Sequence, residues 1–293
     1  MDRTPSISPT HRERVDLCPG VQRPWPAEDG ALVRLRLIGG VLSPAALAGL
    51  VEVAHEHGDG NLHLTKRANL QLRALPATDG RLAPRVVDAI TSTGLLPSPS
   101  HELVRNVMVS PLSGVVGGRT DLRPLAAELD RGLCADPVYA GLSARFLFLL
   151  DDGRGDVHGR TCDLGLVAVD STHGQLRIGD AWGEVVPLSE SVDALLALAR
   201  DFVSARGAGP TAPWHVSELA SPLRAPEPRD PRTGSLTAAP AYGVVPDTDS
   251  RVEHVGVPAG VLTPELAAAL LDRRPRRLLV TPWRSVLVED RIV

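Results

Sequence analysis

The residues best equipped for chemistry gather in one decapeptide, Leu64-Thr65-Lys66-Arg67-Ala68-Asn69-Leu70-Gln71-Leu72-Arg73. If the chain is extended from 67 onward, alternation puts Arg67, Asn69, Gln71 and Arg73 on one face and Ala68, Leu70 and Leu72 on the other. Two guanidinium forks and two amides on one face suit carboxylate or phosphate groups, because each fork can hold an oxyanion with two parallel hydrogen bonds. The same pattern also describes the solvated face of an antiparallel sheet, and spacing alone favours that plainer reading. A second group joins Arg105-Asn106-Val107 to the turn Ser110-Pro111-Leu112-Ser113-Gly114; a strand edge with an ordinary loop accounts for it equally. Arg145 stands before the apolar run Phe146 to Leu150, where a lone arginine is commonly a surface residue. His55 and His57 are two apart and do not share a helical face, so no metal site is expected there. Cys18, Cys134 and Cys162 are too scattered for a disulfide framework or a paired-cysteine zinc site. Glycine-rich dinucleotide and phosphate loops and the GxSxG elbow are missing.

These residues need elements to position them. Val33, Leu35 and Leu37 alternate with Arg34 and Arg36, the period of a half-buried strand. Gly39-Gly40 ends it, and Ser43 with Pro44 opens a helix expected to run to about His57. Two strands follow, at 61–66 and 69–75. The layout then returns near the C-terminus: Leu37-Ile38-Gly39-Gly40-Val41-Leu42-Ser43-Pro44 aligns with Val257-Pro258-Ala259-Gly260-Val261-Leu262-Thr263-Pro264, and Leu64-Thr65 with Val280-Thr281. The second spacing is shorter by about one helical turn, which keeps the apolar face in phase. Arg67 then corresponds loosely to Arg284. The expected organisation is a poorly ordered lead-in at 1–28, a first strand–helix–strand unit at 29–80, a middle α+β domain at 81–205, a proline-rich connector at 206–250 and a second unit at 251–293.

Composition narrows the function. With 31 basic and 35 acidic side chains the net charge is −4, which argues against a nucleic-acid partner. Lys66 is the only lysine, so most of the arginine excess reads as coding bias. No apolar run approaches the ~20 residues of a membrane span. The start, Met-Asp-Arg-Thr-Pro, lacks the apolar core of a signal peptide. A cytoplasmic protein without a membrane partner is expected.

The run 64–73 resembles the Thr-x-Arg-x-x-x-Gln motif of the sulfite and nitrite reductase ferredoxin-like half-domain superfamily. Arg105-Asn106-Val107 with Pro111-Leu112-Ser113-Gly114 resembles its Arg-Asn-Val…Pro-Leu-x-Gly motif, and the superfamily carries the half-domain twice. Cys18-Pro19-Gly20, the strand Ala31 to Arg36 and Thr281-Pro282-Trp283-Arg284 make the chain similar to the precorrin-3B synthases of cobalamin biosynthesis, over about residues 16 to 293. The resemblance implies an α+β fold with duplicated ferredoxin-like half-domains around a mixed α/β domain. It implies an oxidoreductase acting on a precorrin, a polycarboxylated tetrapyrrole, by oxygen-dependent hydroxylation with lactone formation. Arg67, Arg105 and Arg145 would clamp the carboxylates, Asn69, Gln71, Arg73 and Asn106 would support them, and Arg284 would contribute from the second copy. The family's cofactors are a four-iron, four-sulfur cluster and a siroheme-like tetrapyrrole. The cluster's Cys-x5-Cys…Cys-x3-Cys ligands have no counterpart in these three cysteines, which leaves three readings open. The chain is an incomplete or truncated version, a second polypeptide supplies the missing part, or the protein keeps the tetrapyrrole-binding shell without the redox chemistry; a fragment of a siroheme-dependent sulfite or nitrite reductase is the alternative outside that family.

Overall fold

The computed structural model describes residues 16–209, 211–248 and 251–290. The first unit comprises β1 (Trp25–Ala27), β2 (Gly30–Leu35), β3 (Val41–Leu42), α1 (Pro44–His57), β4 (Leu62–Leu64) and β5 (Leu70–Leu75). A small hairpin, β6 (Ala77–Thr78) with β7 (Arg81–Leu82), leads into α2 (Pro84–Ser92). The middle domain holds β8 (Val107–Val109), α3 (Arg123–Ala135), β9 (Phe148–Asp151), β10 (Leu164–Ala168), β11 (His173–Ile178), β12 (Ala181–Pro187) and α4 (Ser191–Arg206). The second unit follows as β13 (Gly243–Val245), β14 (Val252–Gly256), β15 (Val261–Leu262), α5 (Pro264–Asp272), β16 (Arg277–Val280) and β17 (Ser285–Glu289).

The two units are copies that exchange a strand. One sheet runs β1-β2-β5-β4-β15 and the other β13-β14-β17-β16-β3. Val261 pairs with His63 in the first, and Leu279 with Val41 in the second. The copied caps hold: Ser43 Oγ accepts from Ala46 N at 3.0 Å and Thr263 Oγ1 from Leu266 N at 3.3 Å. Left-handed backbone recurs at matched places, Gly39 (φ 58°) with Ala259 (53°), Gly40 (75°) with Gly260 (76°), and Ala68 (56°) with Arg284 (58°). Gly40 has no room for anything larger, since a β-carbon there would strike the carbonyl oxygen of Val280 in the other copy. Val33, Leu35, Leu70 and Leu72 of the first sheet share one apolar core with Leu47 and Leu50 of α1, Leu270 of α5, and Leu278 and Val286 of the second sheet. At ~25 cal/mol per Å² of apolar surface, that shared burial is what binds the copies into one body.

The middle sheet runs β12-β11-β10-β9-β8, with β9 parallel to both β8 and β10. Its helix side is filled by Phe146, Phe148, Leu164 and Leu166 against Leu129, Leu133, Leu195 and Phe202. Leu147 and Leu149, alternating with those phenylalanines, form a separate cluster with Met108 and Val157 on the opposite side.

Several boundaries differ from the sequence reading. Residues 1–15 of the expected lead-in lie outside the described residues. Residues 16–28 are folded: Val21 is buried, the Glu102 carboxylate accepts from Val21 N and Gln22 N (both 2.7 Å), and β1 pairs with β2. Helix α2, expected in the middle domain, places Val86 and Ile90 in the first unit's core. The proline-rich stretch is no free connector. It straps the middle sheet, with Glu227 N donating to Trp182 O, the Gln175 amide bridging to Pro228 and Asp230, and Thr237 N donating to Gly155 O; its end forms β13. The strand expected from 69 begins at Leu70, because Thr65 to Asn69 form a tight turn closed by Ala68 N to Thr65 O and Thr65 N to Asn69 O. The second copy repeats this turn from Thr281 to Ser285. Trp283, and not Arg284, is therefore the counterpart of Arg67; Arg284 occupies the left-handed position of Ala68.

Candidate functional site

The tight turn aims Arg67 away from its sheet and toward the middle domain, where its Nη1 donates to the carbonyl of Arg145 at 2.8 Å. Arg67 lines a cleft of about 250 Å³ with Leu147, Cys162, Asp163, Asp180 and His215. Burial pulls the Arg67 guanidinium below its ordinary value, and the Asp163 charge opposes that shift. Arg145 stays exposed at the rim, its guanidinium 4.7 Å from the centre of the Trp214 ring and its Nε 3.7 Å from Asp16. Asp163 and His215 line the same cleft as Arg67. Asp163 is buried; its Oδ2 accepts from Leu147 N (2.8 Å) and its Oδ1 from Val216 N (3.0 Å). The His215 ring meets the same carboxylate through Nδ1 at 3.1 and 3.2 Å. The cleft thus brings one guanidinium, Arg67, together with a carboxylate–imidazole pair. Ligand pockets commonly reach ~300–1,000 Å³, so this volume takes the edge of a large ligand.

The other residues singled out in the sequence are distributed differently. Arg105 is buried and its fork is filled by Asp130 of α3, with Nε–Oδ1 at 2.6 Å and Nη2–Oδ2 at 2.8 Å. It faces the helix side of the middle sheet, whereas Leu147 of the cleft faces the other side. Arg105, expected to clamp a ligand carboxylate, thus has two donor directions of its fork taken by Asp130. Asn69 and Asn106 are buried braces. Asn69 Oδ1 accepts from Leu37 N at 2.9 Å and its amide reaches Asn106 Oδ1 at 3.5 Å, while Asn106 Nδ2 donates to Leu103 O and Ala144 O. They fix the Arg67 turn against the segment that carries Arg145. Gln71 lies half-buried on β5 between Arg34 and His63 in register. Arg73 sits toward the far end of that strand and pairs with Asp29 at 3.2 Å. The left-handed backbone at Ala68 is what separates Arg67 from the face of Gln71 and Arg73. Arg284 donates to Ala259 O at 3.2 Å, within its own copy.

Sequence reasoning missed Arg34, Arg36, Asp163, Trp214 and His215. Arg34 and Arg36 project from β2 and just past it, off the helix-covered face. Nε of Arg34, and Nε and Nη2 of Arg36, are buried without hydrogen-bond partners. Burial, with Arg34 adding repulsion, pulls Arg36 down to about 10. Their alternation with Val33 and Leu35 announced a strand and nothing more. Asp163 and His215 meet across 52 residues with no local signal.

The thiols do not fit an iron–sulfur cluster. Cys18 lies in the segment before β1, Cys134 in α3 and Cys162 just before β10. Burial pushes all three upward, Cys162 to about 12, the wrong direction for thiolate ligands. Among the described residues no group of three or more His, Cys, Asp or Glu side chains is arranged to hold a metal. Among those residues, too, no helix is long and apolar enough to cross a membrane.

Residues 25–79 match the nitrite/sulfite reductase ferredoxin-like half domain. A precorrin-3B synthase from a Sinorhizobium species is 30% identical over 159 residues, which is 54% of this chain and 33% of that protein. A ferredoxin–nitrite reductase from Leptolyngbya laminosa is 28% identical over 144 residues, 46% of this chain and 28% of the relative. The chain therefore spans about a third of the length of the curated relatives it matches. The structure of Mycobacterium tuberculosis NirA superposes with a TM-score of 0.68 at 20% identity, covering 94% of this chain and 59% of NirA. The chain carries the ferredoxin-like half domain of the nitrite and sulfite reductases on a NirA-like fold, and its resemblance to precorrin-3B synthase rests on sequence identity as well as on motifs.

Proposed function

We propose that this chain is the tetrapyrrole-holding part of a precorrin-3B synthase-like oxidoreductase, and that Arg67 anchors a ligand carboxylate at the mouth of the cleft. The observation that supports this reading is the position of Arg67, whose guanidinium lines the cleft and, among the described residues, spends only Nη1 on a protein acceptor. Arg145 adds a second cation at the rim. Arg34 places further positive charge on the neighbouring sheet face, with Arg36 buried beside it. A ring fringed with carboxylates is a ligand such a surface can hold edge-on. Oxygen-dependent hydroxylation with lactone formation is the reaction that the resemblance implies. The thiols of this chain do not fit a four-iron cluster, so in this proposal any cluster-borne electron transfer comes from another polypeptide segment, and these residues bind and orient the substrate.

The test uses uroporphyrin I, an octacarboxylate, titrated into the full chain by fluorescence quenching. Charge-assisted hydrogen bonds contribute ~1.5–3 kcal/mol, so Arg67→Ala should weaken binding by roughly tenfold to a hundredfold. Unchanged affinity in Arg67→Ala would return this arginine to a surface role and remove the reading.

A further inference from the structure

The geometry points to Asp163 and His215 as a proton-transfer pair that faces the bound edge of the ligand. This inference deepens the proposed function and takes its ligand class, a carboxylated tetrapyrrole, from it. A carboxylate only accepts hydrogen bonds, so the ring nitrogen that faces Asp163 carries the proton. That nitrogen is Nδ1, at 3.1 and 3.2 Å from the two carboxylate oxygens. Nε2 is then the ring's lone-pair nitrogen, on a side chain that is 32% exposed and lines the cleft beside Arg67.

Asp163 is built to hold still. Its side chain is 2% exposed, two backbone amides donate to its oxygens, and its own backbone N donates to Leu147 O at 2.9 Å. A fixed carboxylate that orients an imidazole and offsets the charge it gains is the arrangement general bases use elsewhere. In the step assigned here, an O–H or N–H bond of the ligand breaks and its electron pair stays on the ligand atom. The proton forms a bond to Nε2, and the resulting imidazolium is balanced by Asp163. The reverse delivers a proton. No oxidant enters this step. Trp214, next in sequence, stacks under Arg145, so one short segment carries both the base and the support of a rim cation.

The experiment is nitrogen NMR of the full chain labelled with ¹⁵N-histidine, with His215→Gln used to assign the signals and uroporphyrin I as the probe. In the free protein His215 should show a protonated Nδ1 and an unprotonated Nε2, a preference that Asp163→Asn should abolish. Saturating uroporphyrin I should move the Nε2 resonance of His215 and leave its tautomer unchanged. An Nε2-protonated ring in the free protein overturns the proposal. So does Arg67-dependent porphyrin binding without any shift at Nε2, which would mark a purely structural ion pair. If uroporphyrin I fails to bind the wild-type chain at all, the tetrapyrrole reading falls and takes this inference with it, a failure distinguishable from binding without a shift.

Discussion

Removing Arg105 should lower the protein's stability without harming ligand binding. Both partners of the Arg105–Asp130 pair are withdrawn from water, their side chains being 6% and 17% exposed, and the contact is bidentate. Arg105→Ala leaves the Asp130 carboxylate under the middle domain without its counter-charge. Breaking a buried pair by deleting one member costs ~3–5 kcal/mol. At about 2 °C per kcal/mol for a chain of this size, the melting temperature should fall by roughly 6–10 °C. The double variant Arg105→Met/Asp130→Leu removes both charges and keeps apolar volume, so it should recover most of that loss. Differential scanning fluorimetry of the wild type and of these two variants, with Asp130→Leu as the fourth corner, measures the coupling. The reasoning fails if Arg105→Ala melts within 2 °C of the wild type, a margin well below the ~6 °C minimum expected from an unpaired buried charge. It also fails if uroporphyrin I affinity drops tenfold while the melting temperature holds, because Arg105 would then be the clamp that its motif suggested.

Asp156 gives a pH signature. Burial raises its carboxyl from 3.8 to about 7, with Ser110 its hydrogen-bond donor and Arg154 Nε 3.9 Å from Oδ2 opposing the shift. Below pH 4 the group is protonated in both states and costs nothing; from pH 4 to 7 only the unfolded chain ionises, so stability falls; above pH 7 the penalty is constant at up to ~4 kcal/mol. Asp156→Asn should therefore outlast the wild type in urea at pH 8 and match it near pH 4, and a constant difference across that range would remove the assignment. The two helix caps should behave alike: Ser43→Ala and Thr263→Ala are each expected to cost ~1 kcal/mol in urea unfolding, and a change in only one would mean that the copies do not share their capping chemistry. Cys162 should resist iodoacetamide at pH 8 although it lines the cleft, since burial holds its thiol near 12; alkylation as fast as that of free cysteine would contradict this.

The duplication was legible because it rests on residues that only certain backbones tolerate. Gly40 and Gly260, Ser43 and Thr263, and Pro44 and Pro264 mark turns and caps whose geometry is local, so the sequence carries them directly. The exchange of β3 and β15 was not legible, since a two-residue strand does not announce which sheet it joins. The candidate site was half legible. Arg67 was singled out through its motif and Arg145 only through the family resemblance. The single face drawn through Arg67, Asn69, Gln71 and Arg73 failed at Ala68, where the left-handed backbone ends the alternation. Arg105 read as an open cation because Asp130 lies a helix away in sequence. Asp163 with His215 could not be found at all, for a pair joined across the fold leaves no periodic trace.

The two copies also differ on the sheet faces turned away from their helices. Arg34 pairs in register with Gln71, and Gln71 with His63, on the face of the first sheet turned away from the helices. The matching row of the second sheet is His254, Leu287 and Leu279. Leu279 and Leu287 are buried against Leu112, with Val115 and Val116 packed alongside, so the loop after β8 seals that face with apolar contacts. The polar remainder is satisfied internally: His254 Nε2 meets Ser285 Oγ at 2.6 Å, its Nδ1 faces the carbonyls of Pro240 and Ala241, and burial lowers its ionisation. Leu287 in place of Gln71 and His254 in place of Arg34 turn a polar row into a packing surface. One copy carries the Arg67 turn and the polar row of Arg34, Gln71 and His63, while the other supplies the exchanged strand and shared core that hold that turn in place.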